Sequence, residues 1–286
     1  MNLAKLTKIK PQEIFSFEQE PQLFEVYRWN EGLRSMHLHE DRLELNFILS
    51  GNGVIVIDGE LCNAQAGDVL IYNSGALHDE NLILNSQINA WCISVKNLKL
   101  PNLPVNQLVP KNFSPRIPCQ SVAEHLAQLY PMIHRYTQRK NSYAIANTLA
   151  RAVVLIVQKI IRSTALAATK ENNFVVEKIR RYIDEHYAEN LNLESLAEVV
   201  SVNAYHLSCA FKKITGYSPQ QYILRRRIGK AQCLLIYTSL SLTEIAARVG
   251  YDDSNYFSRA FKKIIGMSPR LYRQRWLSRG FNPSEI

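Results

Sequence analysis

Residues Leu242–Tyr272 read LTEIAARVGYDDSNYFSRAFKKIIGMSPRLY, and Leu193–Tyr222 read LESLAEVVSVNAYHLSCAFKKITGYSPQQY. The two stretches are one pattern written twice. Phe211, Lys212, Lys213, Gly216, Ser218, Pro219 and Tyr222 return fifty positions later as Phe261, Lys262, Lys263, Gly266, Ser268, Pro269 and Tyr272. Upstream the offset is forty-nine, Ala197 matching Ala246, so the second copy holds one extra residue in its turn. Self-similarity at a fixed spacing marks a repeated supersecondary unit.

Each copy reads as two helices joined by a tight turn. Leu193, Leu196, Ala197 and Val200 are spaced for one apolar helix face, as are Leu242, Ile245, Ala246 and Val249. Ser201-Val202 interrupts the first copy and Gly250 supplies the turn of the second. Asn203 and Asp253 are N-caps for the second helices, and Ser241 with Glu244 forms a capping box. Leu207, Ala210 and Phe211 are expected to face inward, with Tyr256, Phe257, Ala260 and Phe261 in the second copy. This is helix-turn-helix patterning, at 193–214 and 242–264, in which the second helix enters the major groove.

The remaining side chains of each second helix form a reading edge: Ala204, Tyr205, Ser208 and Cys209, then Ser254, Asn255, Ser258 and Arg259. An arginine can bind guanine O6 and N7 bidentately and an asparagine can bind adenine, each worth about 1–3 kcal/mol of discrimination. Lys212, Lys213, Lys262, Lys263 and Arg270 lie further along and suit phosphate.

GYDDSNYFSRAFKKIIGMSPRLYR, preceded by KAQCLL at Lys230–Leu235, resembles the AraC/XylS family of bacterial transcription regulators over about 100 residues, Phe174 to Leu277. The resemblance implies seven helices, with two helix-turn-helix units joined by a long helix, here roughly Pro219 to Ile236. It implies base contacts from Tyr205, Ser208, Cys209, Ser254, Asn255, Ser258 and Arg259. Ser208-Cys209 departs from the family, where longer polar side chains are common. Arg225, Arg226 and Arg227 fall in the connector and are expected to divide between solvent and phosphate.

The charge distribution agrees with one polyanion-binding half. Residues 1–110 carry a net −5, residues 111–173 a net +7 and residues 174–286 a net +7, within a total of +9. Cys62, Cys92, Cys119, Cys209 and Cys233 are an odd number with no CxxC pair, which argues against a disulfide framework or a thiolate zinc cluster. The segment MNLAKLTKIKPQEIF has no apolar signal core, and the longest apolar run is Ala152–Val157. A cytoplasmic protein with no membrane partner is expected.

From Phe24 to Val95 the pattern is short β-rich runs: Leu23–Tyr27, Leu45–Leu49, Gly53–Ile57, Val69–Tyr72 and Ile88–Ile93, with Asp58-Gly59 as a hairpin turn. This predicts a sandwich or small barrel. Two stretches resemble the cupin motifs: Gly32, His37, His39, Glu44 and Gly51, then Gly67, Asn73, Gly75, His78 and Asn81, with Asn73 where the family usually has proline. In cupin enzymes the positions of His37, His39, Glu44 and His78 hold a metal. His37 and His39, two apart on one strand, point the same way. Three imidazoles and a carboxylate suit a divalent zinc, manganese, iron or nickel ion. The same four residues are alternatively polar pocket groups for an organic effector, with Trp29, Tyr72 and Trp91 as candidate pocket aromatics.

Residues 97–118 hold five prolines and read as an extended connector lying on the barrel. Two helices follow. Val122, Leu126, Leu129, Ile133 and Tyr136 form one face, with a kink expected at Pro131. Ile145, Leu149, Val153, Ile156 and Ile160 form a stripe on the second, widened by Val154, Val157 and Ile161. The family resemblance implies that this helix mediates a homodimer.

The organisation is therefore α+β and multidomain. Residues 1–110 are a cupin-like effector domain, 111–165 helical dimerisation and connector, 166–173 a linker and 174–286 the DNA-binding domain. The function expected is a ligand-responsive transcription regulator that binds double-stranded operator DNA and senses a small molecule such as a sugar. As an activator it would also meet RNA polymerase. No cofactor is expected beyond a divalent metal in the pocket. Two alternatives remain: a metal-dependent cupin enzyme with a DNA-binding tail, and an effector-independent DNA-binding protein.

Overall fold

A computed structural model describes residues 17–29, 35–83, 88–110, 113–163 and 174–277. Gly32 of the first cupin stretch and the linker at 166–173 lie outside the described residues. The strands are β1 (Gln22–Arg28), β2 (Leu43–Ser50), β3 (Asn52–Ile57), β4 (Glu60–Gln65), β5 (Asp68–Tyr72), β6 (His78–Ile83), β7 (Asn89–Lys96) and β8 (Arg116–Pro118). The helices are α1 (Ala123–Thr137), α2 (Tyr143–Ser163), α3 (Phe174–His186), α4 (Leu193–Val199), α5 (Ala204–Thr215), α6 (Pro219–Tyr237), α7 (Leu242–Arg248), α8 (Ser254–Ile265) and α9 (Pro269–Leu277).

The strands form two antiparallel sheets, ordered β1-β7-β2-β5-β8 and β4-β3-β6. Side-chain alternation sorts the larger sheet into two faces. Ile48, Leu70, Tyr72, Ala90 and Cys92 point into the barrel, where they meet Trp29, Ile55 and Ile57. Leu43, Leu45, Phe47, Ile93 and Val95 point outward, under Leu126, Tyr130 and Ile133 of α1 and Val153, Val154 and Val157 of α2. Asp58 and Gly59 have φ values of 50° and 70°, the two left-handed residues that a tight hairpin between β3 and β4 requires. Asn73 has a reason to replace proline: its amide donates to Val109 O at 2.7 Å and its Oδ1 accepts from Leu108 N at 2.9 Å, tying the proline-rich connector to the barrel.

α1 continues through Pro131. α2 has the length and apolarity of a membrane-crossing helix, but Arg151 and Lys159 interrupt it and one face is buried under the barrel. That face is shifted from the predicted stripe. Ala146, Ala150, Val153, Val154 and Val157 are buried, whereas Ile145 is 46% exposed and Leu149, Ile156 and Ile160 are half-buried. Leu149, Ile156 and Ile160 pack at the edge of that core, each partly exposed.

The helical half follows the repeat. Asn203 accepts from Tyr205 N at 2.8 Å and Asp253 from Asn255 N at 2.7 Å, so both N-caps form. Ser241 and Glu244 close the capping box, and Asn192 with Ser195 forms another ahead of α4. The extra residue in the second copy falls at the turn. Ser201 stands there in the first unit with φ 55° and Gly250 in the second with φ 85°. Glycine is required at 250, because a Cβ would lie 2.3 Å from Ala188 O.

The connector arginines correct the sequence expectation. None is left for solvent or phosphate. Arg225 Nη1 binds Asp79 Oδ2 of the barrel at 3.0 Å, and Arg226 Nε binds Asp184 Oδ1 at 3.1 Å. Arg227 donates to Tyr187 O at 2.6 Å, Glu189 O at 2.7 Å and Gly250 O at 2.9 Å.

The barrel and helical half also share a core, in which Met36, Val56 and Leu77 join Ile179, Ile183, Leu207, Phe211 and Tyr222. Their seam is polar at its edges. Tyr217 donates to Asp79 at 3.1 Å, and Ser35 N donates to Gln232 Oε1 at 2.7 Å. Gly229 lets α6 touch the barrel backbone, since a Cβ there would lie 1.9 Å from Met36 O.

Candidate effector pocket and nucleic-acid interface

His37, His39, Glu44 and His78 converge as the sequence spacing suggested, though by a different local geometry. His37 and His39 lie on no regular strand; residue 37 makes an isolated two-way bridge with His78, N to O at 2.9 Å each way. The ring centroids are 5.0 Å apart for 37 and 39, 4.3 Å for 37 and 78, and 5.9 Å for 39 and 78. Glu44 enters from β2, with its carboxylate 3.5 Å from His39 Nε2 and 3.7 Å from His78 Nε2. Tyr72 lies opposite Glu44 in the β2–β5 register and stacks on His78 at 4.0 Å. All five side chains are buried.

Two of the imidazoles are anchored through Nδ1. His37 Nδ1–H donates to Ser35 O at 2.8 Å and His78 Nδ1–H to Ala76 O at 2.9 Å, since a carbonyl can only accept. Nδ1 therefore carries a proton on both rings, and Nε2 is the nitrogen left for a metal or ligand. Anchoring one ring nitrogen on a carbonyl while the other faces a shared centre is how metal-binding histidines are oriented. The candidate ligand atoms of His37, His39 and His78 lie within 4.8 Å of one another. With Glu44 beside them, the donor set fits a borderline divalent cation.

Two predicted pocket aromatics move out of the set. Trp91 is on the outer face of β7 and meets His134 of α1 at 5.4 Å and Arg28 at 5.9 Å. Its parity with Ile93 and Val95, rather than with Cys92, was the available signal. Trp29 is a core wall whose Nε1 donates to Asn46 Oδ1 at 2.8 Å.

In the helical half the reading edge is presented outward. Tyr205 is 71% exposed; Cys209, Lys212, Asn255, Arg259, Lys262 and Arg270 are exposed, and Ser208, Ser254 and Ser258 are half-buried. Phe211, Phe257 and Phe261 turn the other way into the core. Tyr256 corrects the expectation that it packs inward. It is 58% exposed, leans on Tyr251 at 5.8 Å and has the Arg259 guanidinium 5.9 Å from its ring. His206, fifty positions earlier, is exposed as well.

A β-barrel with a buried polar pocket, packed on two helix-turn-helix units whose second helices show polar and basic edges, defines a DNA-binding transcription regulator. The comparisons with known proteins agree. A helix-turn-helix domain model matches residues 196–275 and a cupin domain model residues 26–81. The HTH-type transcriptional activator RhaS of Enterobacter sp. (strain 638) is 28% identical over 247 residues, covering 82% of this chain and 86% of that protein. RhaS of Salmonella schwarzengrund (strain CVM19633) is 29% identical over 230 residues, covering 77% and 81%. Among solved structures, the C-terminal domain of AraT, a response regulator from Geobacillus stearothermophilus, is 42% identical, covering 37% of this chain and 88% of that one, with a TM-score of 0.36. The chain is similar to AraC-type transcription regulators, with an N-terminal cupin and a C-terminal helix-turn-helix domain.

The corrected position of Tyr256 has a measurable consequence. Tyr256→Ala should change stability by no more than about 0.5 kcal/mol, as for surface positions. Phe257→Ala should cost about 3–5 kcal/mol, as for core aromatics. Equal losses in a denaturant titration would return Tyr256 to the core.

Proposed function

We propose that the chain is a cytoplasmic, ligand-responsive transcription activator that binds operator DNA as a homodimer. The observation that carries the DNA-binding part is the outward, duplicated reading edge on α5 and α8. α6, with 19 residues, is about 28 Å long and joins the two units, a reach comparable to one duplex turn. Asn255, Ser258 and Arg259 read bases from α8, with Ser254 at its start. Tyr205, Ser208 and Cys209 supply apolar and shape contacts from α5. Lys212, Lys262 and Arg270 neutralise phosphates.

The effector, a sugar-sized polyhydroxyl compound, sits against His37, His39, Glu44, His78 and Tyr72. Buried imidazoles and a carboxylate supply both donors and acceptors for hydroxyl groups, and the Tyr72 ring supplies an apolar wall. A divalent cation, where bound, would be held by the three histidines and Glu44 and would act as a Lewis acid toward ligand oxygens. The activator names of the relatives favour regulation over catalysis. RNA polymerase is then a partner at the promoter.

The dimer forms through the outer face of α2, where Ile145, Leu149 and Ile156 are left incompletely covered. Ile156→Glu should convert a dimer to a monomer in analytical ultracentrifugation. An unchanged sedimentation coefficient would move the interface elsewhere.

Arg259→Ala should weaken operator binding by about ten- to a hundredfold, the loss of one bidentate base contact. Binding to random DNA at the same salt should change little. Equal loss on both would assign Arg259 to phosphate.

A further inference from the structure

The mouth of the barrel opens against α6 at a cleft of about 370 Å³. His37, His39 and Arg42 line it from the barrel, and Arg226, Lys230 and Tyr237 from α6. The volume lies in the range of small-molecule sites, about 300–1,000 Å³.

Arg42 is the unusual wall residue. Its side chain is 7% exposed. Its Nε and Nη2 donate to Asp41 at 2.9 and 3.4 Å. Its Nη1 has no hydrogen-bond partner among the described residues, and Glu25, at 3.9 Å, is too far to accept. A buried charged N–H without an acceptor is costly, and a ligand oxygen would remove that cost. Across the cleft, Lys230 is exposed and makes no ion pair among the described residues. The neighbouring charges are already committed: Asp41 to Lys96 at 2.7 Å and to Arg42, and Arg226 to Asp184 at 3.1 Å. Glu40 is exposed on the same rim. Arg42, although paired with Asp41 and lying 4.1 Å from the Phe24 ring, thus keeps one unbonded N–H, and Lys230 supplies a second donor from the other domain, beside imidazoles suited to hydroxyl groups.

We propose that this cleft binds a small hydroxylated carboxylate, such as a hexuronate or an aldonate. The carboxylate lies between Arg42 and Lys230, and the hydroxyl groups reach toward His37 and His39. The inference rests on the effector-pocket reading above and narrows its ligand class. A sugar hydroxyl can accept from Arg42 Nη1, but a carboxylate accepts in a stronger, charge-assisted bond and can pair with Lys230 at the same time. The ligand also bridges the two domains. Lys230 follows Gly229, the point at which α6 touches Met36, so the bound anion joins barrel and connector helix where they already meet.

The test is calorimetric titration of the full chain with a panel of hexuronates, aldonates and the matching neutral hexoses. At least one acid should bind tenfold or more tighter than its neutral counterpart. Lys230→Met, an exposed substitution that leaves the core intact, should abolish that preference. The proposal is overturned if no acid binds, if neutral sugars bind as tightly, or if Lys230→Met binds the acids as wild type does. Neutral-sugar binding lost in His78→Ala yet unaffected by Lys230→Met would overturn the anion site and leave the barrel-pocket reading standing.

Discussion

Arg227 donates from the middle of α6 to three main-chain carbonyls at once: Tyr187 and Glu189, just after α3, and Gly250, in the turn between α7 and α8. The first two belong to the half that carries α5, and the third belongs to the unit that carries α8. One guanidinium therefore fixes both helix-turn-helix units to the rod between them. Its planar fork reaches several acceptors in fixed directions, which a lysine ammonium on a flexible stem does not do. Tyr187, just beyond α3, offers a carbonyl outside the helix ladder that Arg227 satisfies, while Glu189 O also accepts from Leu191 N at 2.9 Å. Gly250 completes the joint. Its bare Cα lets the second turn press against Ala188, and any side chain there would force the units apart.

The second consequence of the connector concerns the barrel. α6 carries Arg225, Gly229 and Gln232 on the side that meets the sensor half: Arg225 binds Asp79, Gln232 Oε1 accepts from Ser35 N, and Gly229 lies close against Met36. These barrel residues are chain neighbours of the pocket histidines: Met36 precedes His37, and Asp79 follows His78. A ligand that shifts either imidazole acts on backbone already bonded to the DNA-binding half. Pocket and connector contacts therefore lie on the same short segments.

The repeat and its caps were legible because they are local. Asn203, Ser241, Asp253 and Gly250 act on backbone groups only a few residues away, so a window of the sequence contains the whole interaction. The barrel strands were legible for the same reason, through alternation and the Asp58-Gly59 turn. What remained hidden depends on distant partners. Arg225 finds Asp79 across 146 positions and Arg226 finds Asp184 across 42, and nothing near either arginine marks them as structural. Trp91 and Tyr256 were misplaced by composition, since an aromatic in an apolar run looks inward. Strand parity settles Trp91; helix phase relative to Phe257 and Phe261 settles Tyr256. The four pocket groups converged as their spacing implied, but the bridge that holds His37 beside His78 lies outside any regular strand.

If α6 is a rigid rod pinned by Arg227, the two reading helices keep one spacing along the duplex. The direct measurement is fluorescence-anisotropy binding, at fixed salt, to operators whose two recognition elements are moved apart by half a helical turn, about five base pairs, and by a full turn of about ten. Fixed phase predicts that the half-turn insertion destroys the contribution of one unit and lowers affinity by at least tenfold. It also predicts that the full-turn insertion fails to restore affinity, because the rod cannot lengthen. Equal affinity at all three spacings would show that the units move independently and would contradict the account.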